Sequence, residues 1–505
     1  MIGSTPVATP AECEPNAPVV QGLSPAMGRH RYSTLLGVLF LLTLPLINPW
    51  VRGDGVGYYA YIRSLLIEHD LDFSNDWRAG NESFVMGRVR ADGTIAPTQY
   101  TRTGHLDNHF AVGASMLWAP FIVPVHGAML SLQKFGVSVR ANGLSRPYVL
   151  AMALATALYG FAGLWLAFRL ACAYYEERWA FLATVGIWFG TSLLVYMYFN
   201  PSWSHAHSVF VVALFLWYWR RTRSDRTLAQ WVILGLLSGL MLDVYYLNIA
   251  VLLIPLLESL WQYGRFWQRP DRDWGAIGRL LKANVVYCLA VVVAFLPTLI
   301  TRKIIFGNPF DFGYSKEWSA RPALLQVLFS SDHGLLTWTP ILIFAMLGLV
   351  FFLKRDKEFA VGLLLSSLAF YILVSFHTNW DGLSSFGNRF FVSLTPFFIL
   401  GLTATIAKFA DTLKNAHRAW TVASSLTVLL VLWNLAFIFQ WGMHMVPARG
   451  PISWKQMVRN QFLAVPSRAG TALAAYFSNR RALMNRIEQE DIRQLKQQQG
   501  GAKAQ

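Results

Sequence analysis

Apolar residues run along the chain in blocks about as long as a bilayer is thick, and short polar segments separate them. The blocks cover about residues 33–48, 147–171, 179–199, 205–219, 228–262, 283–305, 335–353, 359–377, 389–407 and 419–441. The run at 228–262 is too long for one crossing and carries Asp243 in its middle, which predicts two helices with a break near Asp243 to Tyr246. The pattern predicts an all-α membrane protein, a polytopic bundle of roughly 11 transmembrane helices.

A further apolar block, residues 110–130, decides the topology. The later segments richest in Lys and Arg are 220–223, 354–357 and 408–418. If the block crossed the membrane, these segments would lie outside, against the positive-inside rule; otherwise they lie inside. Pro120 and Pro124 also favour a broken or surface-lying segment. We therefore expect a cytoplasmic N-terminus and one large first extracytoplasmic loop, about residues 49–146, carrying amphipathic surface helices.

The two ends of the chain differ from the apolar region at 33–441. Residues 1–32 include a stretch rich in Pro and Ala, and we expect them to form a disordered cytoplasmic N-terminus. Residues 442–505 form a net basic C-terminal tail, which the same topology places outside the membrane. Its last part, from about residue 479, is charged and rich in Gln, a pattern typical of solvated helix or disorder.

The composition agrees with a membrane protein. Of the 505 residues, 54% are hydrophobic and only 14% are charged. The formal net charge of +16 could indicate nucleic-acid binding, but the cations gather in short loops between apolar blocks, where membrane orientation explains them. Cys13, Cys172 and Cys288 are far apart and form neither a disulfide framework nor a zinc-binding pattern.

The predicted topology brings the unusual polar residues to the outer face. The candidates for chemistry there are Asp54, His109, His205, His207, Arg302, Lys303, Asp332, His333, Asp381 and Arg389. A secondary transporter would be expected to carry ionisable residues in mid-span, where Asp243 is nearly alone. A hydrophilic outer vestibule above a helical bundle instead favours an enzyme that acts on a lipid-linked substrate.

Asp54 lies in "INPWVRGDGVGYY", directly after the first apolar block. An aspartate here could simply cap a helix that starts near Gly55. However, Gly53, Gly55 and Gly57 remove side-chain bulk around the carboxylate and would let a ligand approach, at an entropic cost that a plain cap does not need. The pattern therefore favours a functional carboxylate.

Two stretches resemble a known superfamily. "GDGVGYYAYIRSLL", at residues 53–66, and the segment from "LWAPF" to "SRPYVL" resemble the first outer loop of the GT-C superfamily, integral-membrane glycosyltransferases that use polyprenyl-phosphate sugars. The resemblance covers roughly residues 33–405 and is greatest to the branch of protein mannosyltransferases and aminoarabinose transferases. It implies that residues 33–441 form a transmembrane catalytic domain in the bacterial inner membrane, with the active site facing the periplasm.

The resemblance also implies residue roles and partners. Asp54 matches the catalytic acid of the first loop and would act as the general base, with inversion at the anomeric carbon. Arg389, with Arg302 or Lys303 as helpers, would bind the donor phosphate. The family often has a second acid at the start of the fourth span, where this chain has "NPSWSHAH", so His205 or His207 is the candidate replacement and a divalent metal stays open. The partners would be a polyprenyl-phosphate-linked sugar, membrane lipids and an acceptor glycan, lipid or protein.

Other interpretations of these residues remain open. His205 and His207 begin a helix on different faces, so at most one can face a shared site. Asp332 and His333 fit a turn before a span, and Arg389 fits an anchor at the membrane boundary. At the level of the whole protein, the alternatives are a flippase or transporter of lipid-linked sugars, and a structural subunit of an envelope assembly.

Overall fold

The computed structural model describes residues 31–314 and 317–502 of the chain. Helices dominate these residues, and the only β-type pairings among them are isolated bridges. Seven of the described helices are long and apolar enough to cross a membrane. The predicted all-α class with membrane helices is therefore confirmed, while the number of roughly 11 crossings stays a prediction. Residues 1–30, assigned above to a disordered segment, lie outside the described residues.

The first predicted loop is a folded unit. Helix α1 covers Arg31–Thr43 and continues as a 3₁₀ turn at Leu44–Leu46. The helices that follow are α2 (Asp54–Arg63), α3 (Ser74–Ala79), α4 (Glu82–Val85) and α5 (Gly113–Lys134). Phe73 and Trp77 stack at 6.0 Å between their ring centroids, and both are buried together with Tyr61 and Phe84. This small aromatic core fixes α2 against α3 and α4.

Every predicted apolar block contains helix. The helices of the bundle are α6 (Arg146–Cys172), α7 (Glu177–Phe189), α8 (His205–Thr222), α9 (Leu228–Val244), α10 (Leu253–Gln268), α11 (Trp274–Phe306), α12 (Leu324–Phe329), α13 (Leu335–Trp338), α14 (Ile341–Phe352), α15 (Lys357–Ser375), α16 (Thr395–Leu413) and α17 (Ala416–Gly442). The predicted break is confirmed, because α9 ends at Val244 and a 3₁₀ segment, Tyr246–Leu252, leads into α10.

Helix α16 lies at the centre of the bundle. In the segment Arg389–Leu413, which includes α16, 89% of an apolar stretch of 18 residues is buried within the protein. Helix α14 packs on it closely because two glycines face each other: a Cβ atom on Gly348 would lie 1.7 Å from the carbonyl oxygen of Gly401. Such contacts between small residues are typical of helix packing in membranes. The N-terminal end of α16 is therefore held firmly, and this end carries part of the candidate site.

Helix α5 excludes one of two sequence expectations. It is a continuous helix of 22 residues, so the segment is not broken at Pro120 and Pro124, while the alternative of a surface-lying segment stays a prediction. Both prolines face outward, where a lost backbone hydrogen bond is tolerated. Trp118 donates to Thr156 of α6 at 2.9 Å and His126 contacts Tyr148 at 2.7 Å, so α5 runs antiparallel to the first part of α6. Whether α5 crosses the bilayer stays a prediction, since its length and composition would allow it.

The C-terminal tail is also more ordered than expected. It forms α18 (Trp454–Arg459), α19 (Val465–Ser478) and α20 (Arg480–Ala502). The Tyr476 hydroxyl donates to the carbonyl oxygen of Leu46 at 2.6 Å. The Glu488 side chain is buried and accepts from Asn81 and from the backbone of Ser83, both at 2.7 Å. Of the two expected forms of this end, a solvated helix or disorder, α20 is a helix. It is not surrounded by solvent on every side, because a partner in the first loop, 407 residues earlier, binds it.

Candidate active site

The backbone around Asp54 is set by a glycine. Gly53 is the N-cap of α2 and has a φ of 53°, a conformation that other residues rarely adopt. Its N–H donates to the Asn81 side chain at 2.9 Å. Asp54 follows as the first residue of α2, and its side chain makes no capping hydrogen bond within the described chain. The capping interpretation therefore does not account for this carboxylate, although the helix N-terminus favours its negative charge.

The neighbouring glycines have a packing role. A Cβ atom on Gly55 would lie 1.9 Å from Oγ of Ser202, and one on Gly57 would lie 2.0 Å from the ring of Phe110. The expectation that these glycines leave room for a ligand is wrong, because other parts of the protein fill both spaces. They allow α2 to pack against the segment before α8 and the segment before α5, and this packing fixes the position of Asp54.

Arg389 lies directly against Asp54. It opens the 3₁₀ turn Arg389–Leu394, which leads into α16. Its Nη1 donates to Oδ2 of Asp54 at 2.6 Å, and its guanidinium lies 4.4 Å from the ring centroid of Trp203. Its Nε is buried and has no hydrogen-bond partner among the described residues. The Arg389 side chain is 11% exposed and that of Asp54 is 33% exposed, so the carboxylate is the more accessible member of the pair.

The Asp54–Arg389 pair lines a cavity of about 330 Å³. The charged and histidine side chains of its lining are Arg52, Asp54, Arg88, Arg389, His444, Arg449 and Asp491. They come from the first loop, from the turn before α16, and from the C-terminal tail. Three regions that are far apart in sequence therefore meet at one cavity, with the ion pair in its wall.

The cavity has an excess of positive charge. Four arginines and two aspartates line it. Arg389 pairs with Asp54, and Arg52 forms a short hydrogen bond with Asp491. Arg88 and Arg449 have no salt-bridge partner in the described part of the chain. Burial lowers the pKa of both guanidinium groups, although Asp54 and other nearby carboxylates act in the opposite direction. Half-buried cations without a carboxylate partner favour the binding of an anion.

The rest of the cavity wall is mainly apolar, and its neutral polar side chains include Asn48, Ser83, Asn200, Ser384 and Gln494. Its Leu, Ile, Met and Phe residues are Leu46, Phe84, Phe199, Leu383, Ile438, Phe439, Met443, Leu473, Leu483, Met484, Ile487 and Leu495. They come mainly from the end of the α1 segment, from α17, and from α19 and α20. The cavity therefore combines a cationic part around Arg389 with an apolar part formed largely by the tail. A ligand with an anionic head and an apolar chain would match both parts.

The two histidines at the start of α8 lie in separate aromatic surroundings. The His205 ring packs against Tyr196 at 4.6 Å between centroids, and the His207 ring packs against Trp118 at 5.1 Å. Both side chains are buried, and neither lines the cavity. The His205 ring also lies 6.0 Å from the Trp203 ring, measured between centroids, and Trp203 in turn packs against the Arg389 guanidinium. His205 therefore adjoins the site through Trp203 and does not line the cavity.

Three other predicted residues lie away from the cavity. Arg302 is fully buried in α11, where it hydrogen-bonds to Tyr61 and to the Phe110 carbonyl oxygen. Lys303 is exposed and donates to its own helix end. His109 packs against a tyrosine of the loop after α11, at 5.0 Å between ring centroids. Of the three predicted phosphate ligands, only Arg389 lines the cavity.

Asp332, His333 and Asp381 form a cluster next to the cavity. One potential ligand atom from each residue lies within 4.8 Å of the others. Gly382, which follows Asp381, is part of the cavity lining, and a Cβ atom there would lie 3.1 Å from Cγ of Arg389. These residues, predicted from two separate loops, are therefore brought together, and they lie beside the ion pair.

Sequence reasoning missed four charged residues of the cavity: Arg52, Arg88, Arg449 and Asp491. Arg52 could have been noticed, since it stands two positions before Asp54 in the segment already selected. Arg88 and Arg449 carry no local signal, because they lie in irregular segments without a motif. Asp491 carries no signal either, because the composition of the tail is typical of a solvated helix.

Comparisons with known proteins give a limited result. No family model matches the chain, and no curated protein matches it. Among solved structures, the chain is similar to the crystal structure of ArnT from Cupriavidus metallidurans in the apo state, with a TM-score of 0.42 and 14% sequence identity. That similarity covers 81% of this chain and 71% of the ArnT chain.

Proposed function

We propose that the protein is a membrane glycosyltransferase that moves a sugar from a polyprenyl-phosphate donor to an extracytoplasmic acceptor, which is a glycan, a lipid or a protein. The observation that carries this proposal is the cavity itself, which joins an accessible carboxylate, four arginines and an apolar wall. These three features are what transfer from a lipid-linked phosphate sugar needs: a base for the acceptor, cations for the leaving phosphate, and a surface for the lipid.

Arg389 is the proposed ligand of the donor phosphate, with Arg88 and Arg449 as further cations. Arginine presents a planar fork that can donate two hydrogen bonds to a phosphate. The unpaired Nε of Arg389 is available for this purpose. As the bond between the sugar and the phosphate breaks, negative charge grows on the phosphate, and preorganised cations in a partly buried cavity stabilise it.

Asp54 is the proposed general base. The acceptor hydroxyl must lose a proton as it attacks the anomeric carbon, and a carboxylate within hydrogen-bond reach can take that proton. In the described state one oxygen of Asp54 is held by Arg389, while a third of the side-chain surface is exposed. When the donor phosphate engages Arg389, the carboxylate is released to the acceptor. A single base on the face opposite the phosphate gives inversion, and no acid is needed because phosphate leaves unprotonated.

We propose that this cavity faces the periplasm of a bacterial inner membrane. The supporting observation is the distribution of charge between the two ends of the bundle. Helix α8 begins near the cavity and ends at Thr222, and the Arg223 that follows pairs with Asp356 at 2.6 Å at the opposite end. The Lys- and Arg-rich connections thus lie far from Asp54, as the positive-inside rule requires for a cytoplasmic end.

The test is sugar transfer by purified protein in the variant Asp54→Asn. Asparagine keeps the shape of aspartate but cannot take up the proton of the acceptor. The rate of transfer from a polyprenyl-phosphate sugar is expected to fall by about 10² to 10⁴-fold, the usual loss when a general base is removed. Thermal unfolding measured in parallel should change little, because Asp54 is partly exposed and caps no helix within the described chain.

Asp92→Asn is the matched control, since Asp92 is an exposed acid of the same loop outside the cavity lining. It should transfer sugar at the wild-type rate. Near wild-type transfer by a folded Asp54→Asn variant would contradict the proposed mechanism. Wild-type protein that moves the lipid-linked sugar across vesicles but never transfers it would favour the flippase alternative instead.

A further inference from the structure

His333 has an unusual position in the fold. Its side chain is fully buried, and its backbone has a φ of 55°, a strained value for a residue other than glycine. The ring packs edge-on against Trp338 at 4.6 Å between centroids. A buried histidine held in this way normally satisfies both ring nitrogens, and here only one is satisfied within the described residues.

The satisfied nitrogen fixes the chemistry of the other. Nδ1 of His333 lies 2.9 Å from the carbonyl oxygen of Asp381. A carbonyl oxygen only accepts, so Nδ1 must carry the proton and donate it. Nε2 then keeps its lone pair, and it is buried without a partner among the described residues. A hydrogen bond from one ring nitrogen to a backbone carbonyl is the usual means by which a protein orients a metal-binding histidine.

Two carboxylates complete the group. Oδ1 of Asp332 is buried without a hydrogen-bond partner in the described chain. Two carboxylates held close together repel each other, so a cation between them would remove the repulsion and satisfy the unpaired oxygen.

We infer that Asp332, His333 and Asp381 bind one divalent transition-metal ion, zinc or manganese, beside the cavity. One imidazole and two carboxylates form a mixed nitrogen and oxygen ligand set, which suits these ions better than calcium or magnesium, which prefer oxygen ligands alone. Ligands at about 2.1 Å from one ion lie at most about 4.2 Å apart. The present spread, within 4.8 Å, therefore closes with small side-chain rotations. Three protein ligands leave positions open for water or a phosphate oxygen.

The metal site would lie next to Arg389. Asp381 precedes Gly382, whose Cα hydrogen faces the aliphatic part of the Arg389 side chain. An ion at Asp381 would add positive charge on the side of the cavity where the donor phosphate is expected. This link to the reaction rests on the proposed function, whereas binding of the ion does not.

The experiment measures metal binding directly. The full-length protein is purified in detergent, stripped with a chelator and titrated with Mn²⁺, with free ion counted by electron paramagnetic resonance, and Zn²⁺ is measured by competition. Wild-type protein should bind one ion per chain. His333→Gln and Asp381→Asn should each weaken affinity by more than about tenfold, since even changes outside the ligand set cost 10 to 100-fold.

His377→Gln is the matched control, because His377 pairs with Glu317 at 3.1 Å and lies outside the cluster. It should bind the ion as wild-type does, and so should Asp54→Asn. Asp54→Asn therefore separates this inference from the proposed reaction. The variant should lose sugar transfer because it lacks the general base, and it should still bind the ion. No binding by wild-type protein, or equal binding by folded Asp381→Asn, would overturn the inference. If the protein bound Ca²⁺ or Mg²⁺ as tightly as Mn²⁺ and Zn²⁺, the choice of ion would be overturned.

Discussion

Helix α2 has an arginine–carboxylate pair at each end, and the two pairs differ in what they leave unused. At its C-terminal end, Arg63 donates to Asp76 at 2.8 Å, to Glu68 at 2.7 Å and to the carbonyl oxygen of Asn142 at 3.3 Å. The side chains of Arg63 and Asp76 are 7% and 3% exposed. All three guanidinium nitrogens of Arg63 are occupied by the protein.

At the N-terminal end, the pair is incomplete. Arg389 donates to Asp54 through Nη1, while its Nε has no partner among the described residues. Asp54 remains 33% exposed and lines the cavity. We call an ion pair closed when every guanidinium nitrogen has a protein partner, and open when one has none. A closed pair has a role in the fold alone, whereas an open pair can exchange a protein partner for a ligand. The comparison therefore separates a structural pair from a candidate reactive pair on the same helix.

The largest expected difference between the pairs is in stability. Asp76→Ala should lower the free energy of unfolding by about 3 to 5 kcal/mol, because it leaves the buried charge of Arg63 without one of its partners. Asp54→Ala should cost less, about 1 to 3 kcal/mol, because Asp54 is one-third exposed and the cavity lets water solvate the Arg389 charge that it leaves unpaired. Denaturation in mild detergent measures both. Equal losses in the two variants would mean that both pairs are structural.

A smaller difference is expected in donor binding. Arg389→Lys should weaken the binding of a polyprenyl-phosphate sugar by about 1 to 3 kcal/mol, because lysine lacks the planar fork of arginine. Calorimetric titration with the donor measures this change. Arg63→Lys is the control and should lower stability without changing donor affinity. If even Arg389→Ala bound the donor normally, Arg389 would be a membrane-boundary anchor.

The helices could be predicted from the sequence, but the contact within the ion pair could not. The apolar blocks predicted the long helices because hydropathy is a local property of the chain, and the break near Asp243 followed from the length of the run and the charge in its middle. Asp54 and Arg389 were each selected from local context, but their contact was not foreseen, because they are 335 residues apart. The course of α5 and the docking of α20 also depend on distant partners, and composition carries no information about these.

The smallest expected effect concerns the contact between Asp491 of α20 and Arg52, which lie in the same cavity wall as the open pair. Burial raises the pKa of Asp491, but the hydrogen bond from His444 and the charge of Arg52 outweigh it, so the pKa lies below its ordinary value. Ionised Asp491 therefore stabilises the docked helix above the unfolded pKa of about 4, and this contribution is lost as the pH falls through the lower folded value.

Hydrogen–deuterium exchange of residues 480–495 measures the docking of α20. Protection should fall at acidic pH in the wild type, and Asp491→Asn should be less protected at neutral pH and lose most of the pH dependence. Glu490→Gln is the control, because Glu490 pairs only with the exposed Arg493 of the same helix in the described chain. An unchanged pH response in Asp491→Asn would mean that another group controls the docking.

The use of α20 as a cavity wall has a consequence for biosynthesis. A ribosome releases residues 480–495 only after the bundle helices, which end at Gly442, so the cavity gains this wall after the bundle has emerged. A chain interrupted before Arg480 would insert its helices and yet keep the apolar side of the cavity open. The site would then mature in a separate step after membrane insertion. Unfinished chains would expose an apolar cleft to membrane proteases.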